Sequence, residues 1–465
     1  MRQSIRGWRS ARAARGNAPP PARAEVFVST PMAGAPPDIQ QERLRLGLGL
    51  VALVFWLWLI HSYKIAGGDI AVAALAVGVM LRGGQLRFPP VLQFFLIFIL
   101  WNAVGLSATD STVITTDAIY NLAKLWIITF CVLNTVRTAA ELRFVIIAWL
   151  AFYALYPVRG ALFNQYVCHC TEFGRVAWNF VFENPNDLAA LSLVPLGLAA
   201  GVATVERTKV FRQAALAGVA VLALLVMLTQ SRGALLALGV AAILLPLSSR
   251  RKARDFLLLG LLFGAAAVLA PRGVWTRLAG LSKVSVEGDM VGVDEEGSAE
   301  ARWKIWKIAA ATARDHPLVG VGAGMMPVVS RLVTLAANDK GTVRGERDTH
   351  STYLRIAAET GLPGLIFYLL TWGAVFLRVR SSRRSLRHVR YREHQLLLYL
   401  ELGMIAFCVA SIFGTYGALS FTYLSLAVAW LAATILEKEP WYGKTAPMVQ
   451  AAPVPALRAR GATRA

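Results

Sequence analysis

Long apolar runs, joined by connections of which every second one is basic, constrain this chain more than any other feature of it. Several of the runs approach the roughly 20 residues that cross a bilayer. Composition agrees with that reading. Of 465 residues, 56% are apolar and 16% charged, whereas soluble domains are about one quarter charged. The pattern predicts an all-α, polytopic membrane protein.

Twelve spans are expected, centred on Val54, Ala74, Phe95, Ile127, Ala148, Val194, Val221, Gly239, Phe263, Tyr368, Ile405 and Ala427. With the N-terminus in the cytoplasm, the connections assigned inside are Arg82 to Arg87, Arg137 to Arg143, Glu206 to Arg212, Arg250 to Arg254 and Arg378 to Arg392. All are basic, and the last carries seven arginines. Those assigned outside are His61 to Gly68, Ser107 to Asp117, Pro157 to Asn186, the tight turn at Ser231, the long loop Pro271 to Thr349, and Phe413 to Gly417. The short ones are poor in basic residues. This asymmetry supports an even number of spans with both termini cytoplasmic. One span too many or too few would invert every later connection. The expected organisation is a disordered basic tail over 1–44, nine spans over 45–270, an outer loop over 271–350, three spans over 351–437 and a second cytoplasmic tail over 438–465.

The net charge of +21 would suggest nucleic acid in a soluble protein. Here the arginines sit in short loops between apolar runs, where membrane orientation requires them, so nucleic acid is excluded as a partner. The first 44 residues are rich in arginine and proline and lack the apolar centre of a cleavable signal peptide. Cys131 and Cys408 lie in apolar runs and read as buried bystanders. Cys168-His-Cys170 offers too few ligands for a closed zinc site, and a disulfide across one residue would be strained. These two cysteines therefore read as loop residues without chemistry.

A structureless loop as long as Pro271 to Thr349 would be unusual, so helices and a function are expected within it. Gly288 to Gly297 is acidic and glycine-rich and reads as solvated. Ala299 to Ala313 reads as an amphipathic helix, with Trp303, Ile305, Trp306, Ile308 and Ala309 on its apolar side. Tryptophans there suit the membrane surface, with sugar stacking as the alternative. Gly320-Val-Gly-Ala-Gly324 lacks the strand and the acidic partner of a nucleotide loop and reads as a tight, bent connection.

Three residues on the outer side stand out. Arg232 lies in the turn of a helical hairpin. It is either a snorkelling anchor or a fixed guanidinium whose fork matches phosphate oxygens. Arg302 begins the amphipathic helix, near Glu300 and Glu296, and a surface salt bridge is its plain reading. His350 stands where the loop returns to the membrane. Imidazole, with its ordinary pKa of about 6.5, suits proton transfer near neutrality. Asp348 can orient it, and Ser351 or Thr349 can cap the following helix. Glu359 lies near a helix end, where the dipole disfavours it, so a specific partner is expected, an arginine or a backbone group. Gly361 and Pro363 read as a stop and a restart. Two further candidates are Asn186, which with Asp187 can simply cap the sixth span, and Lys124. An intramembrane cation is a functional candidate unless it snorkels toward Tyr120.

Ser231-Arg-Gly-Ala-Leu-Leu-Ala237, Ala301-Arg-Trp-Lys-Ile-Trp306, Gly320-Val-Gly-Ala-Gly324 and His350-Ser-Thr-Tyr-Leu-Arg-Ile-Ala-Ala-Glu-Thr-Gly361-Leu-Pro-Gly364 together resemble the O-antigen ligase and polymerase superfamily. Phe182 to Ala189 looks like its Asn-Pro-Asn approach to a span. The resemblance covers roughly Asp110 to Glu437. It departs at Ser351, where an asparagine often follows the histidine, and in the long basic tail. It implies a C-type membrane glycosyltransferase fold with a large helical periplasmic loop, in the bacterial inner membrane. The implied activity is inverting and metal-independent, without a cofactor. A glycan would move from undecaprenyl diphosphate to a hydroxyl of lipid A-core or of another glycan or protein acceptor. Carried over, His350 matches the proposed base, and Arg232 and Arg302 match the arginines that bind the diphosphate. The rivals are a polymerase or a protein O-oligosaccharyltransferase within the class, and a polysaccharide transporter outside it. The transporter would need charged residues in several spans and an internal repeat, and neither is visible in the sequence.

Overall fold

The computed structural model describes residues 46–62, 67–171, 174–248, 298–336 and 346–442, with a few isolated positions between 252 and 275. The tails over 1–44 and 443–465, the ninth expected span around Phe263, most of the Arg250 to Arg254 connection and the acidic stretch 288–297 lie outside the described residues. All but isolated turns of the regular structure described is helical. In chain order the helices are α1 (Leu48–Ser62), α2 (Gly68–Arg82), α3 (Pro90–Val104), α4 (Thr112–Thr135) and α5 (Ala139–Cys168). They continue with α6 (Pro185–Val205), α7 (Lys209–Leu228), α8 (Arg232–Ser248), α9 (Ser298–Asp315), α10 (Met326–Ala336), α11 (Thr352–Leu386), α12 (Tyr391–Ala410) and α13 (Ser420–Lys438).

Eight of these, α3 to α7 and α11 to α13, are long and apolar enough to cross a membrane. Helices α1 and α8 are apolar but shorter. A multi-pass membrane protein accounts for the surface as well, since Leu100, Leu236, Ile243 and Ile366 are exposed on helix faces. Such a surface suits lipid rather than water. Inside, α6 and α12 approach closely, and a Cβ on Gly197 would lie 3.1 Å from the Gly403 Cα. Small residues let membrane helices pack backbone to backbone in this way.

Contacts gather the connections into two ends. At one end the basic connections meet buried carboxylates. Glu141 closes a capping box with Thr138 at the start of α5 and also takes Arg82 at 2.6 Å. Glu206 takes Arg143 at 3.0 Å, and the Tyr442 hydroxyl donates to it as well. Burial pushes the Glu206 carboxyl up, but the hydrogen bonds from Arg143 and Tyr442 outweigh it and hold the group at about 2. Glu401 holds Arg380 and Arg383, and Glu437 holds Arg378. The segment after α13 completes this end. The Glu439 carboxylate accepts the Ala139 N–H at 2.8 Å, and Trp441 is buried beside Glu206.

The other end gathers the connections assigned outside, and a break in α11 organises it. This helix runs 35 residues but is non-helical at Gly361, with φ 70°. The stop and restart expected at Gly361 and Pro363 are both present. The break strands carbonyls that a continuous helix would satisfy. The loop before α10 supplies donors: Val321 N–H to the Ala358 carbonyl at 3.1 Å and Gly322 N–H to Glu359 at 2.9 Å. The Trp101 indole donates to Thr360 at 2.9 Å. In return the Leu362 N–H donates to the Pro317 carbonyl at 2.8 Å. The bent connection expected at residues 320–324 is therefore the cap of a broken helix.

Gly361→Ala should lower the thermal stability of the purified full-length protein by about 2 kcal/mol or more. It combines the roughly 1–2 kcal/mol cost of a left-handed L-residue with a Cβ that collides with the Leu318 carbonyl. Gly373→Ala on the same helix meets open space and should be neutral or slightly stabilising. Melting followed by size-exclusion fluorescence distinguishes the two.

Candidate active site

The Asp348-Thr-His350 turn sits between α9, α10 and α11. The Asp348 Oδ2 accepts the His350 backbone N–H at 3.1 Å. This closure over two residues is an Asx turn, which tolerates a left-handed residue, and His350 has φ 49°. The same oxygen lies 3.6 Å from the His350 Nδ1. The Asp348 Oδ1 accepts Arg355 Nη1 at 2.8 Å, and Arg355 Nε donates to Glu359 Oε1 at 2.9 Å. That glutamate oxygen also accepts the Met326 N–H at 3.2 Å. The partner expected for Glu359 is thus both an arginine and a backbone group.

Helix α9 presses on this turn from the side. Ala309 meets Met326 and Ala358 in a small core of its own, with Ile308 and Leu354 around it. Ile305 is buried as well. The apolar side of the helix therefore packs inward onto α10 and α11. The Trp306 indole donates to the Thr349 carbonyl at 3.0 Å, and its ring lies 6.1 Å from that of Phe413. This corrects the expectation of packing at the membrane surface: the tryptophan has a backbone acceptor inside the protein.

Arg302 lies one helical turn before Trp306, and its charge acts on His350. Burial lowers the His350 pKa below the ordinary histidine value, and Arg302 lowers it further. Asp348 opposes the shift, and Arg347 adds to it. The imidazole is therefore neutral at pH 7, with a lone pair available for a proton. Glu300, one of the partners expected for Arg302, pairs instead with Lys304 at 3.3 Å.

The connection between α12 and α13 forms the far wall. The Tyr416 N–H donates to Thr352 Oγ1, and that hydroxyl donates to the Gly414 carbonyl, both at 2.8 Å. The Thr352 N–H is shared by the Ser411 and Gly414 carbonyls, each at 2.9 Å. The expected cap is not made by a side chain: Ser351 stands at the cap position without such a bond. The Tyr416 phenol is raised well above its ordinary range, first by burial and then by the Asp187 carboxylate to which it hydrogen-bonds. Arg302 lowers it and Asp348 raises it, so Asp187, Tyr416, Arg302, Asp348 and His350 share one electrostatic neighbourhood.

Asn186 and Asp187 are not the cap of α6. Asn184 takes that place and accepts the Asn186 N–H at 2.9 Å. Asn186 instead accepts Arg175 Nη2 at 2.8 Å, while Arg175 Nε donates to the Thr229 carbonyl at 2.9 Å. The buried Arg175 thus ties the start of α6 to the turn that presents Arg232. Arg232 is the first residue of α8. A Cβ on the next residue, Gly233, would lie 2.9 Å from Phe413, the ring that packs on Trp306. Arg232 therefore belongs to the same end of the bundle as Arg302 and His350.

Lys124 stands elsewhere, 3.5 Å from Asp69 on α2 and 4.9 Å from the centre of the Tyr120 ring. No described contact joins it to the His350 turn. Cys168 and Cys170, read as loop residues without chemistry, pair as a disulfide across one residue. Among the described residues, no group of three or more histidine, cysteine or carboxylate side chains is placed to hold a metal ion.

Arg355, Tyr416, Asp187 and Arg175 carry much of this geometry without having been singled out for it in the sequence. Arg355 had a signal, the four-residue spacing to Glu359 on a helix. Tyr416 had none, because its partners come from connections distant in the chain.

Residues 217–369 match the family model for O-antigen ligase. That region of the chain lies in the O-antigen ligase superfamily, as the sequence motifs suggested. It holds Arg232, Arg302, Asp348, His350 and Glu359, and leaves Lys124 and Asn186 outside. No curated protein matches the chain.

Arg302→Gln should move the His350 titration upward, toward about 6.5, because it removes a cation that disfavours the imidazolium. Modification of His350 by diethyl pyrocarbonate, followed by peptide mass spectrometry across pH, reads that midpoint without substrate. An unmoved midpoint would mean that Arg302 and His350 are not electrostatic neighbours.

Proposed function

We propose that this protein is an O-antigen ligase-like glycosyltransferase. It moves a glycan from undecaprenyl diphosphate to a hydroxyl of lipid A-core, at the periplasmic face of the bacterial inner membrane. The observation that carries this reading is a half-buried, neutral His350 beside Asp348 and under the charge of Arg302, inside the segment that matches the ligase family. The even span count and the outward position of the 271–350 loop are part of the same proposal. So are the cytoplasmic termini.

In the proposed reaction, His350 takes the proton of the acceptor hydroxyl as its oxygen attacks the anomeric carbon. A sugar hydroxyl is a poor nucleophile, and a positioned base contributes about 10²- to 10⁴-fold. The bond from that carbon to the diphosphate breaks, and the lipid diphosphate leaves with the bonding electrons. One displacement inverts the anomeric centre. Arg232 and Arg302 bind the diphosphate oxygens and stabilise the charge that grows on them. Two fixed guanidiniums fill the role that a divalent cation has elsewhere, so the reaction is written without a metal. The depressed His350 pKa keeps the base unprotonated at neutral pH, at some cost in basicity.

His350→Ala, at matched membrane expression, should lower transfer by about 10²-fold or more. In a strain that depends on this protein, long-chain lipopolysaccharide should disappear while full-length glycan accumulates on the lipid carrier. Accumulation of single repeat units would instead identify a polymerase. Unchanged lipopolysaccharide with an under-glycosylated protein would identify a protein acceptor. Full activity of the variant would remove His350 as the base.

A further inference from the structure

The two contacts of Arg355 differ in kind. The one to Glu359, four residues on, is an ordinary helix pair. The one to Asp348, at 2.8 Å, reaches seven residues back, off the end of α11 and into the turn. A surface pair of that kind contributes little, but this guanidinium is three-quarters buried. Its second carboxylate is nearly buried and is held by the Met326 N–H from the start of α10. Asp348 is therefore gripped from both sides, by Arg355 on Oδ1 and by the His350 N–H on Oδ2.

We infer that Arg355 is a positioning residue for His350: by holding Asp348, it fixes the left-handed turn that aims the imidazole and limits how much of the carboxylate charge the imidazole receives. The inference rests on the reading of His350 as the base. Paired with Asp348 at 2.8 Å, the Arg355 guanidinium offsets the field of that carboxylate at the ring. The other charges around His350 are Arg302 from α9, and Arg347 and Asp348 from its own segment. Beyond Arg302 lies the Tyr416 phenol on Asp187. When Arg355 is removed, Asp348 loses its cation and the imidazole becomes its nearest partner. The imidazolium is then favoured, and less free base is present at neutral pH.

The test uses the full-length protein in lipid nanodiscs, as wild type, Arg355→Gln, Arg355→Lys and Asp348→Asn. His350 titration is read by diethyl pyrocarbonate modification and peptide mass spectrometry. In parallel, transfer from undecaprenyl diphosphate-linked glycan to lipid A-core is measured across pH. Arg355→Gln should raise the His350 midpoint by about half to one unit, and Asp348→Asn should lower it. Transfer by Arg355→Gln should fall near neutral pH and recover as pH rises, with Arg355→Lys between it and wild type. A midpoint that does not move in Arg355→Gln, with transfer reduced equally at every pH, overturns the inference. Opposite shifts of the midpoint with no shift in the transfer profile support the positioning and sink the base. If Arg355→Gln does not fold, the Lys and Asn variants still give the two directions.

Discussion

A helix that stops inside an apolar bundle leaves backbone carbonyls with no water to turn to, and the free-energy cost is several kcal/mol for each one left unmet. Helix α11 stops this way at Gly361. The site end of the molecule follows from how that cost is avoided. The amides of Val321 and Gly322 and the indole of Trp101 supply the donors. To place them, the chain between α9 and α10 must lie against the break. This puts Met326 beside Glu359 and sets α9 across the short N-terminal half of α11. Arg302, Trp306 and the His350 turn are brought together as a consequence. The break that interrupts a span is thus what allows a short helix to present its start, with the histidine, to residues from other connections.

The basic end shows the opposite economy. Arginines in membrane loops need only be near water and headgroups to orient a chain, yet many here are held by carboxylates that are themselves buried, Glu141, Glu206 and Glu401 among them. A buried carboxylate left alone would be costly. Each of these has at least one guanidinium, and Glu141 and Glu206 take backbone N–H groups as well. The charge pattern that reads in sequence as topology is, in the fold, also the packing of one end of the bundle.

The helices were legible because a long apolar run has few alternatives. Each expected centre except Phe263, which lies outside the described residues, falls in a helix. The stop at Gly361 was legible from residue chemistry, and the need of Glu359 for a partner from the helix dipole. What could not be read was pairing across distance. Asn186 looked like a cap because it precedes a span; the side chain that caps is Asn184, and Asn186 is taken by Arg175. The apolar side of α9 looked like a surface for the bilayer because tryptophan favours that interface; inside the fold, Trp306 has the Thr349 carbonyl to bond. Tyr416 carried no local signal. In each case the local rule was sound, and a partner from elsewhere in the chain displaced its usual outcome.

The strap after α13 bears on the order of assembly. The first amide of α5 finds its acceptor in Glu439, 300 residues later, and Glu206 waits 235 and 236 residues for Trp441 and Tyr442. Such distant contacts carry a large loop-closure entropy and form late. During synthesis the early spans are therefore in place well before Glu439, Trp441 and Tyr442 leave the ribosome. A nascent chain cut just before Glu439 would insert its helices yet leave Glu206 and the start of α5 without their final ligands, a defect that a quality-control protease could read.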